Sequence, residues 1–373
     1  MAGGGILVSA ENVSRLAGSP EPAARWVALA LLGAPADGHS DAVARADAVA
    51  RAHADVLADP LTEDILARLP SWESPPPISG HDKPEFAPNL LGLLADMGVT
   101  AADDARLAAV VEAMLAHQAD DGRFLAATPH RGQPAGVWAA LPCDSHAILE
   151  ALVRAGHVDD PRVARALDHL ARSVTDTPLG PAWRCVPDPA LPFRGPGRAA
   201  DPCPQVTLEG LRALSHVPAG RRTGAVEEVV RTSLAIWRQR ATAKPYMFGH
   251  GRQFKRGKWP ATWYSALAVV DTLGRYPAVW SGEAARPEDR RAMAELTACL
   301  IAYAMDDDGA VTPASTYRGW ERHSFGQKKL PSDFATARVA VALARLEPIA
   351  AEVRAVDVGT LASSKGGTGA PLP

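Results

Sequence analysis

The chain has 373 residues, 47% of them apolar, and 39 basic against 42 acidic side chains give a net charge of −3. This length and core content suit two domains or one large closed array, and the near-balance of charge excludes a global basic field for nucleic acid. Four cysteines over this length do not make a disulfide framework, and no run approaches the ~18 apolar residues of a membrane-spanning helix. The first twenty residues lack a basic n-region followed by an apolar stretch, so the expected location is cytoplasmic.

In chain order, residues 1–20 read as loosely ordered, and the Ala-rich stretches Pro22–Leu32 and Asp41–Leu57 read as helices. Ser71–Pro77 (SWESPPP) is a breaker and sets a boundary near residue 77. Helix pairs then recur. Asn89–Met97, closed by Gly98, pairs with Asp104–His117, and Ser145–Ala155, closed by Gly156, pairs with Pro161–Ser173. Gln205–Leu214 pairs with Gly224–Arg240, and Ala261–Leu273, closed by Gly274, pairs with Arg290–Met305. A last helix, Phe334–Leu346, stops at Pro348, and the Gly/Ser-rich end reads as a disordered tail. The expected domains are therefore a helical extension over 1–77, a helical array over 78–350 and a tail over 351–373. The first helix of each pair is apolar nearly all round, as in LLGLLADMG and ARVAVALARL, and the second carries more charge. That contrast predicts an inner ring and an outer ring of stacked helices.

The turn Gln118-x-x-x-Gly122-x-Phe124 is similar to the QxxxGxW turn of squalene cyclases, and Asp306-Asp-Asp-Gly309 is a degenerate copy. On these turns and the repeat, residues 80–347 resemble the α/α toroid of the terpenoid cyclase and protein prenyltransferase superfamily, closest to bacterial members. The resemblance implies an all-α fold with its cavity at the end where the inner helices begin.

The segments leading into those helices carry most of the chain's reactive side chains. Cys143 and Cys203 stand at the starts of consecutive inner helices, Cys185 lies between them, and His146 is near, with Asp144 or Asp201 as further donors. Three thiols and an imidazole suit zinc or an iron–sulfur cluster, although no CxxC spacing is present. The competing reading is that these cysteines are small core residues, as Cys299 is expected to be. Asp201-x-Cys203 also resembles the Asp-x-Cys zinc pair of prenyltransferase β-subunits, but the next helix start reads Pro260-Ala-Thr-Trp263, without the family's histidine.

Arg252, Lys255, Arg256 and Lys258 precede one inner helix, and Lys328 and Lys329 precede another. With His81, Lys83, Trp259 and Trp263 they form the expected substrate-binding set for a small anion. Lys258, Tyr264, His323 and Asp333 are the candidate proton-transfer residues. Asp333 stands where class II cyclases carry their DxDD acid, without the other acids, and also suits an N-cap. An aromatic content of 6% argues against a cavity lined to guide carbocations. The expected function is a metal-dependent enzyme acting on a small anionic, isoprenoid-type substrate. The alternatives are a ligand-binding or scaffold toroid, a cyclase-like enzyme without the DxDD acid, and a subunit that needs a partner.

Overall fold

A computed structural model describes residues 5–34, 42–72, 80–130, 132–191, 198–222 and 225–361. Asp41, Gly224, most of the Ser71–Pro77 breaker and the tail from residue 362 lie outside them. The chain is mostly helical. The helices are α1 (Ala10–Ala17), α2 (Pro22–Ala30), α3 (Ala42–Ala58), α4 (Pro60–Leu66), α5 (Ala87–Asp96), α6 (Ala105–Ala116), α7 (Pro142–Arg154) and α8 (Pro161–Arg172). They continue with α9 (Pro204–Ser215), α10 (Val226–Arg238), α11 (Arg252–Arg256), α12 (Ala266–Leu273), α13 (Pro277–Trp280), α14 (Pro287–Ala304), α15 (Asp333–Ala344) and α16 (Ala350–Arg354). Two antiparallel hairpins, β1 (Ala126–His130) with β2 (Gln133–Ala139) and β3 (Thr175–Thr177) with β4 (Gly180–Ala182), decorate the loops. No helix among the described residues is long and apolar enough to cross a membrane.

The helix pairs fall close to their expected places. The apolar helices α5, α7, α9, α12 and α15 pack in succession, each on the next. All five contribute side chains to one central cavity. The more polar α6, α8, α10 and α14 pack against them. Pro at the first position opens α7, α8, α9 and α14, where a missing N–H costs nothing.

Two expectations change. The chain start is not loose: α1 is capped by Ser9, whose hydroxyl accepts from the Asn12 amide at 3.2 Å, and its Leu16 is fully buried. Polar latches explain this order. Arg15 meets Asp333 at 2.5 Å, and the Glu347 carboxylate accepts from the amides of Ile6, Leu7 and Val8. Helix α12 begins at Ala266 rather than Ala261, because the Trp259–Pro260 stretch runs extended along residues 315–317 and Ser265 supplies the cap.

The Gln118 turn is a staple between pairs. The Gln118 amide donates to the carbonyls of Gly122 at 2.9 Å and Arg162 at 2.7 Å, and Phe124 is buried. Gly122 has φ +99°, and a Cβ there would lie 2.6 Å from the Arg165 carbonyl oxygen. Any side chain must therefore both strain the backbone and displace α8. Gly122→Ala is expected to destabilise the protein by about 2–3 kcal/mol, read as a lower denaturant midpoint with an unchanged m-value.

Candidate functional site

Helices α7 and α9 begin side by side. Pro142 starts α7 and places Cys143 and Asp144 in its first turn, while Cys203 is the residue that caps α9. The Cys203 amide donates to the Trp183 carbonyl, which draws the Trp183–Cys185 strand end across the start of α9. Cys185 and Cys203 then share a hydrogen bond. His81 comes in from the segment before α5. Its Nδ1 lies 2.9 Å from Asp144 Oδ1 and 3.1 Å from Cys143 Sγ. Imidazole, thiol and carboxylate donors thus converge, all within 4.8 Å of one another.

The electrostatics of this group are strongly perturbed. Burial works against a charge on His81, but the hydrogen bond and charge of Asp144 outweigh it, and Glu209 and Asp82 add to the rise, to about 9. Burial, then the charges of Asp144 and Glu209, push the Cys143 thiol well up. The Cys203 thiol donates to Cys185, which favours the thiolate at Cys185 and disfavours it at Cys203. Asp144 Oδ2, Gln205 Oε1 and Glu209 Oε2 are buried without a hydrogen-bond partner. Unpartnered acceptors beside a thiol and an imidazole are the environment a cation would complete.

Both Cys143 and Asp144 face the same His81 nitrogen. In a nucleophile–base–orienter triad the two partners sit on opposite ring nitrogens. A shared Nδ1 instead matches three donors pointing toward one point. Nitrogen, sulfur and oxygen donors suit zinc, and three protein ligands with an open position is the pattern of catalytic zinc sites. A cluster of iron and sulfide would ask for more thiolates than the one in this group.

His146, expected to be a ligand, does not join them. Its Nδ1 lies 3.0 Å from the Val206 carbonyl oxygen, and its ring meets Trp183 edge-on. Burial lowers its pKa to about 4. Asp201 is held by Arg198 at 3.0 Å instead. The histidine that does meet Cys143 and Asp144 is His81, expected from the sequence as a substrate contact. It lies 62 positions from Cys143, and no local spacing links the two.

The basic segment behaves in two ways. Arg252, Arg256, Lys258, Trp263 and Tyr264 line a groove of about 700 Å³, together with Phe248 and Tyr317. Lys258 Nζ lies 3.8 Å above the Tyr317 ring, and no acidic residue is among the lining residues described. Trp263 stacks on Phe248 at 5.7 Å and on His81 at 5.4 Å, so it joins the groove to the donor cluster. Tyr264 Oη lies 3.1 Å from His250 Nε2. Burial and then the Arg240 charge lower His250 to about 4, and burial raises the Tyr264 phenol, so both are neutral near pH 7.

The remaining candidates lie elsewhere. Lys255 is buried against Tyr303 of α14, with Nζ 3.3 Å from its hydroxyl. Trp259 faces the central cavity rather than the groove. His323 is buried between Trp320 and Phe325 and meets Asp64 at 3.1 Å, a structural contact. Asp333 is tied to Arg15 and accepts from Ser19 at 2.6 Å, while Ser332, not Asp333, caps α15. Lys83, Lys328 and Lys329 are exposed.

No protein-family profile matches the chain, and no curated protein sequence matches it. Among solved structures, it is similar to the type II terpene cyclase MstE from Scytonema in complex with its product merosterolic acid A, at 15% identity and a TM-score of 0.38, over 91% of this chain and 99% of that one. It is also similar to a protein from Actinoplanes, at 16% identity and a TM-score of 0.37, over 87% of this chain and 89% of that one. At these TM-scores the likeness carries no functional argument, which rests on the side chains.

Glu209, missed in the sequence, sits one turn into α9 below the donor cluster. Burial raises its pKa from 4.5 to about 8, opposed by the charges of His81 and Arg212 and by Gln205. A carboxyl whose folded pKa lies above its unfolded value binds more protons when folded. Stability is therefore lost as pH rises from about 4.5 through about 8. Glu209→Gln is expected to remove that slope and to raise stability at pH 8 by on the order of 3 kcal/mol, with little change at pH 4.5. Urea midpoints across this range give the measurement, and a parallel pH slope in the variant would refute the assignment.

Proposed function

We propose that this chain is a metal-dependent enzyme built as an α/α toroid, with zinc held by His81, Cys143 and Asp144 at the mouth where the inner helices begin. The observation that carries this reading is the shared His81 Nδ1, which brings an imidazole, a thiol and a carboxylate within 4.8 Å of one another. Cys185 and Cys203 stand alongside as a further thiol pair. Zinc there would polarise a substrate oxygen or hold a thiolate as nucleophile.

The groove joined to this cluster by Trp263 indicates the substrate class. Arg252, Arg256 and Lys258 would hold an anionic headgroup, with the bidentate geometry of the arginines suited to phosphate oxygens. Phe248, Trp263, Tyr264 and Tyr317 offer aromatic walls to an apolar, unsaturated tail. An isoprenoid-type diphosphate fits both halves. Tyr264, neutral and hydrogen-bonded to a neutral His250, would hold a proton at its phenol oxygen on the groove wall. The central cavity does not suit a hydrocarbon, because charged side chains line it.

Metal analysis of protein purified anaerobically tests the first half. One zinc per chain is expected, lost in His81→Ala and in Cys143→Ala and kept in His146→Ala. Metal absent from all four proteins would return the cysteines to the core and favour a non-catalytic binding toroid. For the second half, Arg256→Gln and Lys258→Gln are each expected to weaken binding of an isoprenyl diphosphate by about tenfold, the loss of about 1.4 kcal/mol. Calorimetry on the zinc-loaded protein reads this, and unchanged affinity in both variants would move the substrate site elsewhere.

A further inference from the structure

The central cavity mixes ionisable side chains with apolar ones such as Leu93, Leu267 and Phe334, whereas the middle of a helical array is usually apolar. It encloses about 80 Å³, well above the ~10–15 Å³ that one water needs. Around it, Asp96 pairs with Arg154 at 2.7 Å and with Arg338 at 2.8 Å. Glu150 pairs with Arg212 at 3.3 Å and Arg154 at 3.5 Å. Asp271 pairs with Arg345 at 2.5 Å and Arg275 at 3.5 Å. Four guanidinium groups on the wall, from Arg154, Arg212, Arg275 and Arg338, thus meet three carboxylates, and Arg345 reaches Asp271 from outside the lining. Glu209, the fourth carboxyl on the wall, is kept protonated near pH 7 by its burial.

The excess is one positive charge in a partly enclosed space. A second observation agrees with it. Arg212 Nε, Arg275 Nε and Thr272 Oγ1, all from residues lining this cavity, are buried without a hydrogen-bond partner. Arg212 Nε lies within ion-pair reach of Glu150 but out of hydrogen-bond alignment. A third sign is His216 on the same wall. Burial, and then the charges of Arg154 and Arg275, lower its pKa to about 2. Unpaired donors and uncompensated cations are costly to bury, and a bound anion offsets both terms.

We infer that the central cavity is a binding site for a compact oxyanion such as phosphate or sulfate, held by Arg212, Arg275 and Thr272. The site is separate from the outer groove. The segment Trp259–Thr262 lies on the cavity wall, whereas Lys258 and Trp263 on either side of it line the groove. The cavity is too small for an isoprenoid, so a small anion there is a structural or regulatory ligand of its own. This inference does not depend on the metal site.

The test is thermal unfolding of the full chain in rising inorganic phosphate at constant ionic strength, with calorimetry for affinity. A saturable rise in Tm is expected. Arg275→Gln removes the least engaged guanidinium, whose one ion pair among the described residues is with Asp271. It is expected to weaken phosphate by about tenfold or more, while Arg172→Gln on the exposed face of α8 leaves the response unchanged. No saturable response, an unchanged response in Arg275→Gln, or loss in Arg172→Gln alone would each overturn the inference. If Arg275→Gln does not fold, wild-type crystals soaked in selenate decide. An anomalous peak between Arg212 and Arg275 supports the site, and its absence there refutes it.

Discussion

Three carboxylates on the inner helices, Glu150 and Asp271 buried and Asp96 half-buried, organise the rest of this molecule. Asp96 on α5 ties Arg154 of α7 and Arg338 of α15, Glu150 on α7 ties Arg212 of α9, and Asp271 on α12 ties Arg345 of α15. Each link joins a different pair of inner helices. The α9–α12 junction instead uses the Tyr276 hydroxyl, which donates to the Leu211 carbonyl at 2.5 Å. Packed apolar side chains would associate these helices at lower desolvation cost. They would not fix rotation about each helix axis, because the helices are apolar nearly all round. The ion pairs do so, since one carboxylate must meet arginines from two neighbours at once. Rotation of α7 then sets where Cys143 and Asp144 point, two turns away from Glu150.

A charged axis also decides where chemistry can sit. A hydrocarbon placed among desolvated guanidinium groups would leave them unpaired, which costs several kcal/mol per group. The middle is therefore unfavourable for an apolar ligand, and ring faces are found instead in the groove, from Phe248, Trp263, Tyr264 and Tyr317. The thiols are at the same end. Helix N-termini offer a thiol unpaired N–H groups and the positive end of the helix dipole, but burial at Cys143 and the hydrogen bond to Cys185 at Cys203 outweigh that pull and disfavour the thiolate. Cys143 and Cys203 occupy such positions on α7 and α9.

The repeat was legible because punctuation marks it. Gly98, Gly156 and Gly274 close inner helices, and Pro161, Asp104 and Asp160 open outer ones, so boundaries fall within a few residues of their expected places. Expectation failed where a long-range partner overrides a local signal. Residues 10–17 look weak alone and gain order from Asp333 and Glu347, more than 300 positions away. At the site, Cys143, Cys185 and Cys203 stood out by scarcity. His146 lies three positions from Cys143 in sequence, yet its side chain turns to the Val206 carbonyl, whereas His81 reaches Cys143 from 62 positions away. The axial charges leave a signal in the sequence: Glu150/Arg154, Glu209/Arg212 and Asp271/Arg275 recur at three- or four-residue spacing at α7, α9 and α12. Charges at three- or four-residue spacing usually mark a solvated face. Inside helices that are otherwise apolar on every side, they mark a buried polar axis.

The segment from Lys258 to Ser265 explains how two anion-attracting regions coexist in one small volume. It is the stretch that delays α12. Its extended backbone is pinned by the Trp259 amide to the Ser315 carbonyl and by the Tyr317 amide to the Trp259 carbonyl, both at 2.9 Å. A helix starting at Ala261 would have wound these residues around one axis and mixed the two regions. Held extended, the segment is a wall one chain thick. Trp259, Pro260 and Thr262 close the top of the ion-pair cavity, and Lys258, Trp263 and Tyr264 furnish the groove. The like charges on the two sides are kept apart by the buried Trp259 ring and by carboxylates confined to the axial side. The groove therefore keeps an uncompensated positive field, while the axis is mostly neutralised from within.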